Sequence, residues 1–147
     1  MRLVEKLDLD FKTALKTKNA KTLSILRLVR SAIKNLEIER QGAASDEDAV
    51  EILQRELKQH KESLDAFKKA NRPEQTAKQE EEILILQEYL PEKLSHEELK
   101  DVIERVIEET NASGPGDLGK VMGAVMPQVK GRADGDAVGQ MVRDLLG

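Results

Sequence analysis

The residues whose types and spacing most readily suggest chemistry run from Gly114 to Val121, "GPGDLGKV". G-x-x-x-x-G-K is most of a P-loop, in which the backbone N–H groups of a glycine-rich turn cradle phosphates and the lysine reaches the outer ones. Gly114, Gly119 and Lys120 stand in that register. The hydroxyl that must follow the lysine to hold magnesium is replaced by Val121, whose side chain has no oxygen to offer. A P-loop must also leave a strand and open a helix, so the surrounding elements decide the matter.

Other reactive groups are scattered. There is no cysteine, which removes thiol nucleophiles, disulfides and Cys-ligated metals. His60 follows Glu56 by four residues, but two ligands fall short of the three or four that a metal site uses. It reads instead as a hydrogen-bonded histidine between helices. His96 follows a capping serine and is expected on the surface. No G-x-S-x-G marks a nucleophile elbow. Glu80, Glu81 and Glu82 form an acid run of the kind that lines a solvated face, and nothing singles out a carboxylate pair for acid–base work. No catalytic residue, metal ligand or cofactor site is expected.

The elements that must position these groups are helical. Leu7, Phe11 and Leu15 recur every four residues and predict a helix over Leu3–Thr17. A second covers Ala20–Gln41, with Leu26, Val29, Ile33 and Leu36 on its buried face and Gly42 as its stop. Ser45, followed by three acids, caps a third. Its seam Val50, Leu53, Leu57, His60, Leu64, Phe67 alternates steps of three and four and ends near Ala70. Pro73 suits the first turn of a fourth helix, which closes near Glu88 before Leu90-Pro91. Ser95 and Glu98 fit a capping box for a fifth helix that reaches about Thr110. A short sixth is expected over Pro115–Met126, limited by Pro127, and a seventh is capped by Asp134. No strand precedes Gly114, so the P-loop reading fails on context as well as on Val121. Gly119 and Gly123 then lie on one helical face, where they would let a second helix approach, and Asp134 has a structural, capping role.

Charge adds the only functional hint that composition offers. The net charge is −4, but residues 1–90 carry seventeen groups of each sign, while residues 91–147 carry seven basic and eleven acidic groups. No acid stands between Asp10 and Glu37, a window that holds Arg27, Arg30 and Lys34 on the polar face of the second helix. Such a stripe can follow a phosphate backbone. In the acidic C-terminal part, Lys120, Lys130 and Arg132 stand on or beside two glycine-containing turns, and Gly131 would let backbone N–H groups approach a phosphate. With one Tyr, two Phe and no Trp, the chain lacks stacking platforms for single strands, so contact with the backbone of a folded RNA is the better fit, and no DNA partner is expected. The charged start, "MRLVEKLDLDFK", has no apolar core of a secretory signal, and no run is long enough to span a bilayer. A soluble, cytoplasmic protein without a membrane partner is the expectation.

"LRLVRSAIKNLEIE" (26–39), "LPEKLSHEEL" (90–99) and "DLGKVMGAVMPQVKGRADG" (117–135) resemble the YqeY-like family, in order and over nearly the whole chain. The same domain is similar to the tail of the B subunit of the glutamine-dependent Asp-tRNA/Glu-tRNA amidotransferase. The resemblance implies an all-α fold. A four-helix part with a long hairpin would occupy residues 1–90 and a three-helix domain residues 91–147. It also implies tRNA as a weakly held partner, with Lys120, Lys130, Gly131 and Arg132 of the shared motif as contact residues, to which the charge pattern adds Arg27, Arg30 and Lys34. An amidotransferase or an aminoacyl-tRNA synthetase would be a protein partner. The catalytic cradle of the larger enzyme lies outside the shared tail, so a carbon–nitrogen ligase activity would belong to a complex and not to this chain alone.

Overall fold

The structure, a computed structural model, describes residues 1–147 and contains only helices: α1 (Leu3–Thr17), α2 (Ala20–Arg40), α3 (Asp46–Lys69), α4 (Pro73–Tyr89), α5 (His96–Glu109), α6 (Leu118–Val129) and α7 (Gly135–Leu146), with a 3-10 turn at Pro115–Asp117. The chain forms two compact units, Met1–Leu90 and Pro91–Gly147. No helix is long and apolar enough to cross a membrane.

In the first unit, Leu7, Leu26, Val29, Leu53 and Leu86 come from all four helices and are fully buried in one core. The longest helix, α3, packs against α4 as a hairpin. Ser45 starts α3 with a reciprocal capping box: its hydroxyl accepts from the Asp48 N–H at 3.1 Å, and the Asp48 carboxylate accepts from the Ser45 N–H at 2.8 Å. Arg40 of α2 grips the same carboxylate with both terminal nitrogens, Nη2 to Oδ1 at 3.0 Å. The Arg40 guanidinium first, and the Ser45 N–H second, hold the Asp48 carboxyl well below the usual carboxylate range. A depressed folded value stabilises the fold above the unfolded aspartate value of about 3.9 and loses that contribution as pH falls below it. Asp48→Asn should therefore flatten the acid limb of a stability-against-pH profile, read by urea unfolding at stepped pH. It should also lower the midpoint at neutral pH.

At the C-terminal end of α4, the Tyr89 hydroxyl donates to Asp10 of α1 at 2.6 Å, and Lys6 sits 5.0 Å over the Tyr89 ring. The Tyr89 hydroxyl holds the Asp10 carboxyl low, helped by Lys6, while burial and Asp10 together push the Tyr89 hydroxyl up. α2 ends one residue earlier than its glycine suggests. Gln41 takes the left-handed conformation (φ 58) and the Gly42 N–H bonds back to Glu37 at 3.2 Å. The closing hydrogen bonds offset the cost of about 1 kcal/mol that a non-glycine residue meets there.

The second unit packs α5, α6 and α7 around Ile103, Val106, Val121, Val125, Val129, Val138 and Val142. Ser95 caps α5 through the Glu98 N–H at 3.1 Å, and Asp134 caps α7 through the Asp136 N–H at 3.3 Å. Pro127 does not end α6; it lies inside the helix, which continues to Val129. A proline ring presses on the carbonyl four residues back. That residue is Gly123, on the exposed side, where water can take the freed carbonyl.

Candidate nucleic-acid interface

Lys120 and Lys130 are both exposed, Lys120 in the first turn of α6 and Lys130 as its C-terminal cap. Between them the outer face of α6 carries Gly119, Gly123 and Pro127, all exposed. This corrects the expectation that the glycines admit a neighbouring helix. A Cβ added to Gly119 or Gly123 would meet nothing within 4 Å. The glycines that face a neighbour are in α7: a Cβ on Gly135 would lie 3.8 Å from the Met126 side chain, and one on Gly139 3.8 Å from Met122. The outer face of α6 is therefore bare backbone with a lysine near each end.

The turn after α6 is built to hold its shape. Gly131 is buried with φ 84, a left-handed conformation that favours glycine. It lets the Arg132 and Ala133 N–H groups fold back onto the Val129 carbonyl at 2.8 and 3.1 Å. Arg132 then ties in the segment that leads to α5. Its Nε donates to the Glu92 carbonyl at 3.0 Å, and its own carbonyl accepts from the Leu94 N–H at 2.9 Å. Arg132 is half-buried, a clamp as much as a cation, where the sequence suggested an open binding residue.

In the first unit the basic stripe divides. Arg27 and Lys34 are exposed on α2. Arg30 is not an open contact: its Nε donates to Asp8 at 2.8 Å and its guanidinium lies 4.0 Å over the Phe11 ring. Lys21, in the same acid-free window, pairs with Glu81. The cations so identified belong to two different compact units.

Two features escaped the sequence reading. The tip of the α3–α4 hairpin has an open concavity of about 440 Å³ lined by Lys68, Asn71, Arg72, Pro73 and Thr76. Its only sequence signal is the cluster of cations in "KKANRP". Glu82 is the second. The acid run does not form one solvated face, because Glu82 is buried and faces His60. Gln79, Glu82 and Leu86 follow steps of three and four along α4, with Ile83 beside them, and that periodicity points Glu82 inward. "GPGDLGKV" itself spans the 3-10 turn and the start of α6, with α5 before it and no strand.

Since neither glycine of the outer face touches a neighbour, Gly119→Ala/Gly123→Ala should stabilise the second unit, by up to about 1 kcal/mol per site from helix propensity. A rise in the thermal midpoint checks this. A fall would mean that the face is occupied in the folded protein.

Fold and surface define a small all-helical protein of two units, with a bare, lysine-flanked helix face on the second. A family model described as Yqey-like protein matches residues 4–146, and the chain belongs to that family. Among curated proteins it is similar to "Altered inheritance of mitochondria protein 41, mitochondrial" of Pyrenophora tritici-repentis, 26% identical over 148 residues, which cover 99% of this chain and 81% of that protein. The protein of the same name from Lachancea thermotolerans is 33% identical over 115 residues, 76% of this chain and 62% of that one. Both names say mitochondrial, which overturns the cytoplasmic expectation. A missing apolar core speaks to secretory signals alone, whereas mitochondrial addresses are basic and amphipathic.

Proposed function

We propose that the chain is an accessory RNA-binding module that holds tRNA through its second unit and carries out no chemistry alone. The observation that supports it most is the outer face of α6, where Gly119 and Gly123 leave the backbone uncovered and Lys120 and Lys130 flank it. A bare helix face admits a sugar–phosphate backbone closely, and the two lysines meet its charge. The rigid turn at Gly131 and Arg132 fixes Lys130 relative to the helix, so little order is left to impose on binding. Arg27 and Lys34 are a second, weaker set of phosphate contacts. The resemblance to the amidotransferase tail favours tRNA as the RNA class.

Contacts of this kind neutralise about four phosphates, so the log–log salt slope of affinity should be near −3 to −4. Titrating the whole protein with total tRNA at low and near-physiological salt tests this. Absence of binding at low salt removes the proposal.

A second reading has its own support. Leu9, Leu15, Leu28, Ile38 and Leu84 are large, apolar and exposed in the first unit. A protein partner that covers them is this second reading, with an amidotransferase or an aminoacyl-tRNA synthetase as the candidates. Salt-insensitive capture of such a protein would favour it. Glutamine-dependent amidation that requires this chain would instead make it a component of a carbon–nitrogen ligase complex.

A further inference from the structure

His60 and Glu82 face each other across the α3–α4 hairpin, Nε2 to Oε2 at 3.0 Å, with their side chains 10% and 7% exposed. The other ring nitrogen, Nδ1, lies 2.8 Å from the backbone carbonyl of Glu56. A carbonyl oxygen can only accept, so Nδ1 carries a proton. The state of Nε2 then follows from Glu82. An ionised Glu82 needs a donor, so Nε2 must also be protonated. A neutral ring presents a lone pair at Nε2, and only a protonated Glu82 can donate to it. Both arrangements hold one proton between the two atoms. Its removal sets a lone pair against a carboxylate in a buried place, where an unmatched charge is costly.

The surroundings do not relieve that state. On α3, Glu56 Oε2 lies 3.9 Å from Nδ1 and adds negative charge. On α4, Lys78 reaches Glu82 Oε1 only at 3.9 Å and is itself mostly exposed, and the buried Gln79 Oε1 has no hydrogen-bond partner. α2 packs on the hairpin, but its Lys21 is paired with Glu81 and its Arg40 with Asp48. The ion pairs of α1 join Lys6 to Asp10 and Asp8 to Arg30, so α1 supplies none to either group.

Position gives the pair its consequence. His60 and Glu82 are the last buried residues before the hairpin tip, and none of residues 61–81 is buried. Beyond this point Leu64, partly buried, still packs against the core, but the outer part of the hairpin has no core of its own. We propose that the single proton shared by His60 Nε2 and Glu82 Oε2 latches the outer half of the α3–α4 hairpin, residues 61–81, and that its loss as pH rises releases that half while the base stays folded. This is a local opening equilibrium set by one proton.

Amide hydrogen exchange on the full chain, stepped from about pH 5 to about pH 9, tests it after correction for the intrinsic rate. Protection of residues 61–81 should fall by about tenfold or more on the alkaline side, and that of Asp46–Leu57 should not. Glu82→Gln should abolish the pH dependence, because an amide N–H can donate to the neutral ring without any shared proton. His60→Gln should do the same by donating to the Glu82 carboxylate. Parallel pH profiles in the wild type and the glutamine variants would overturn the latch. So would an alkaline loss spread evenly over all helices. If one variant fails to fold, the other and the regional pattern in the wild type still decide.

Discussion

Lys120→Glu/Lys130→Glu should weaken tRNA binding by at least about tenfold and flatten its salt dependence, while the fold is left intact. Each lysine is exposed, so the substitutions fall among surface changes that usually alter stability by less than about 0.5 kcal/mol. Each reversal replaces a cation that releases a counterion with a charge that repels the phosphate. Two lost contacts reduce the slope by roughly 1.8, about half of its full value. Arg132→Glu is a poorer probe, since Arg132 also holds Glu92 and Leu94 in place and its replacement would mix binding with folding. Fluorescence anisotropy with labelled tRNA at several salt concentrations, beside urea unfolding of the same samples, separates the two. An unchanged affinity in the double variant would move the binding surface elsewhere.

Leu86→Ala should do the reverse. Leu86 is fully buried where α4 meets the rest of the first unit. Removal of its outer carbons leaves a cavity that the close-packed helices fill only in part. The cost should be about 2–5 kcal/mol, against a total stability of the order of 5–15 kcal/mol for a protein of ordinary size. The urea midpoint should fall with the slope unchanged. Affinity for tRNA, measured at low temperature where the variant remains folded, should stay close to that of the wild type, because the proposed contacts of α6 lie in the other unit. A midpoint within experimental error of the wild type would mean that this part of the core collapses around the gap.

The sequence announces most of the helices because their ends are chemically marked. Ser45, Pro73, Ser95 and Asp134 each open a helix where the residue type suggests it, since capping is local and depends on three or four neighbouring residues. What stayed hidden depends on distant partners. Arg30 shares a helical face with Arg27 and Lys34 by angle, but its long side chain reaches Asp8 and the Phe11 ring on α1. Periodicity gives the direction of a Cβ and not the place where a flexible side chain ends. Glu82 stands among three acids that the sequence does not distinguish, and its burial depends on the opposing His60, with Lys78 farther off. Gly119 and Gly123 fit the spacing of a packing motif, yet which side of a helix meets its neighbours follows from the valines at 121, 125 and 129. Those valines bury the opposite face. Pro127 reads as a helix stop, and its tolerance depends on the exposed Gly123 carbonyl four residues back.

The measurement that bears most directly on the α6 surface is an amide NMR titration of the isotope-labelled protein with tRNA at low salt. Gly119, Gly123 and Gly131 give signals in the well-separated glycine region, which makes the face easy to follow. RNA binding at this surface predicts that these glycines, with Lys120 and Lys130, shift or broaden first, and that the first unit responds weakly. Changes confined to α1–α4, or a spectrum that tRNA leaves untouched, would contradict it.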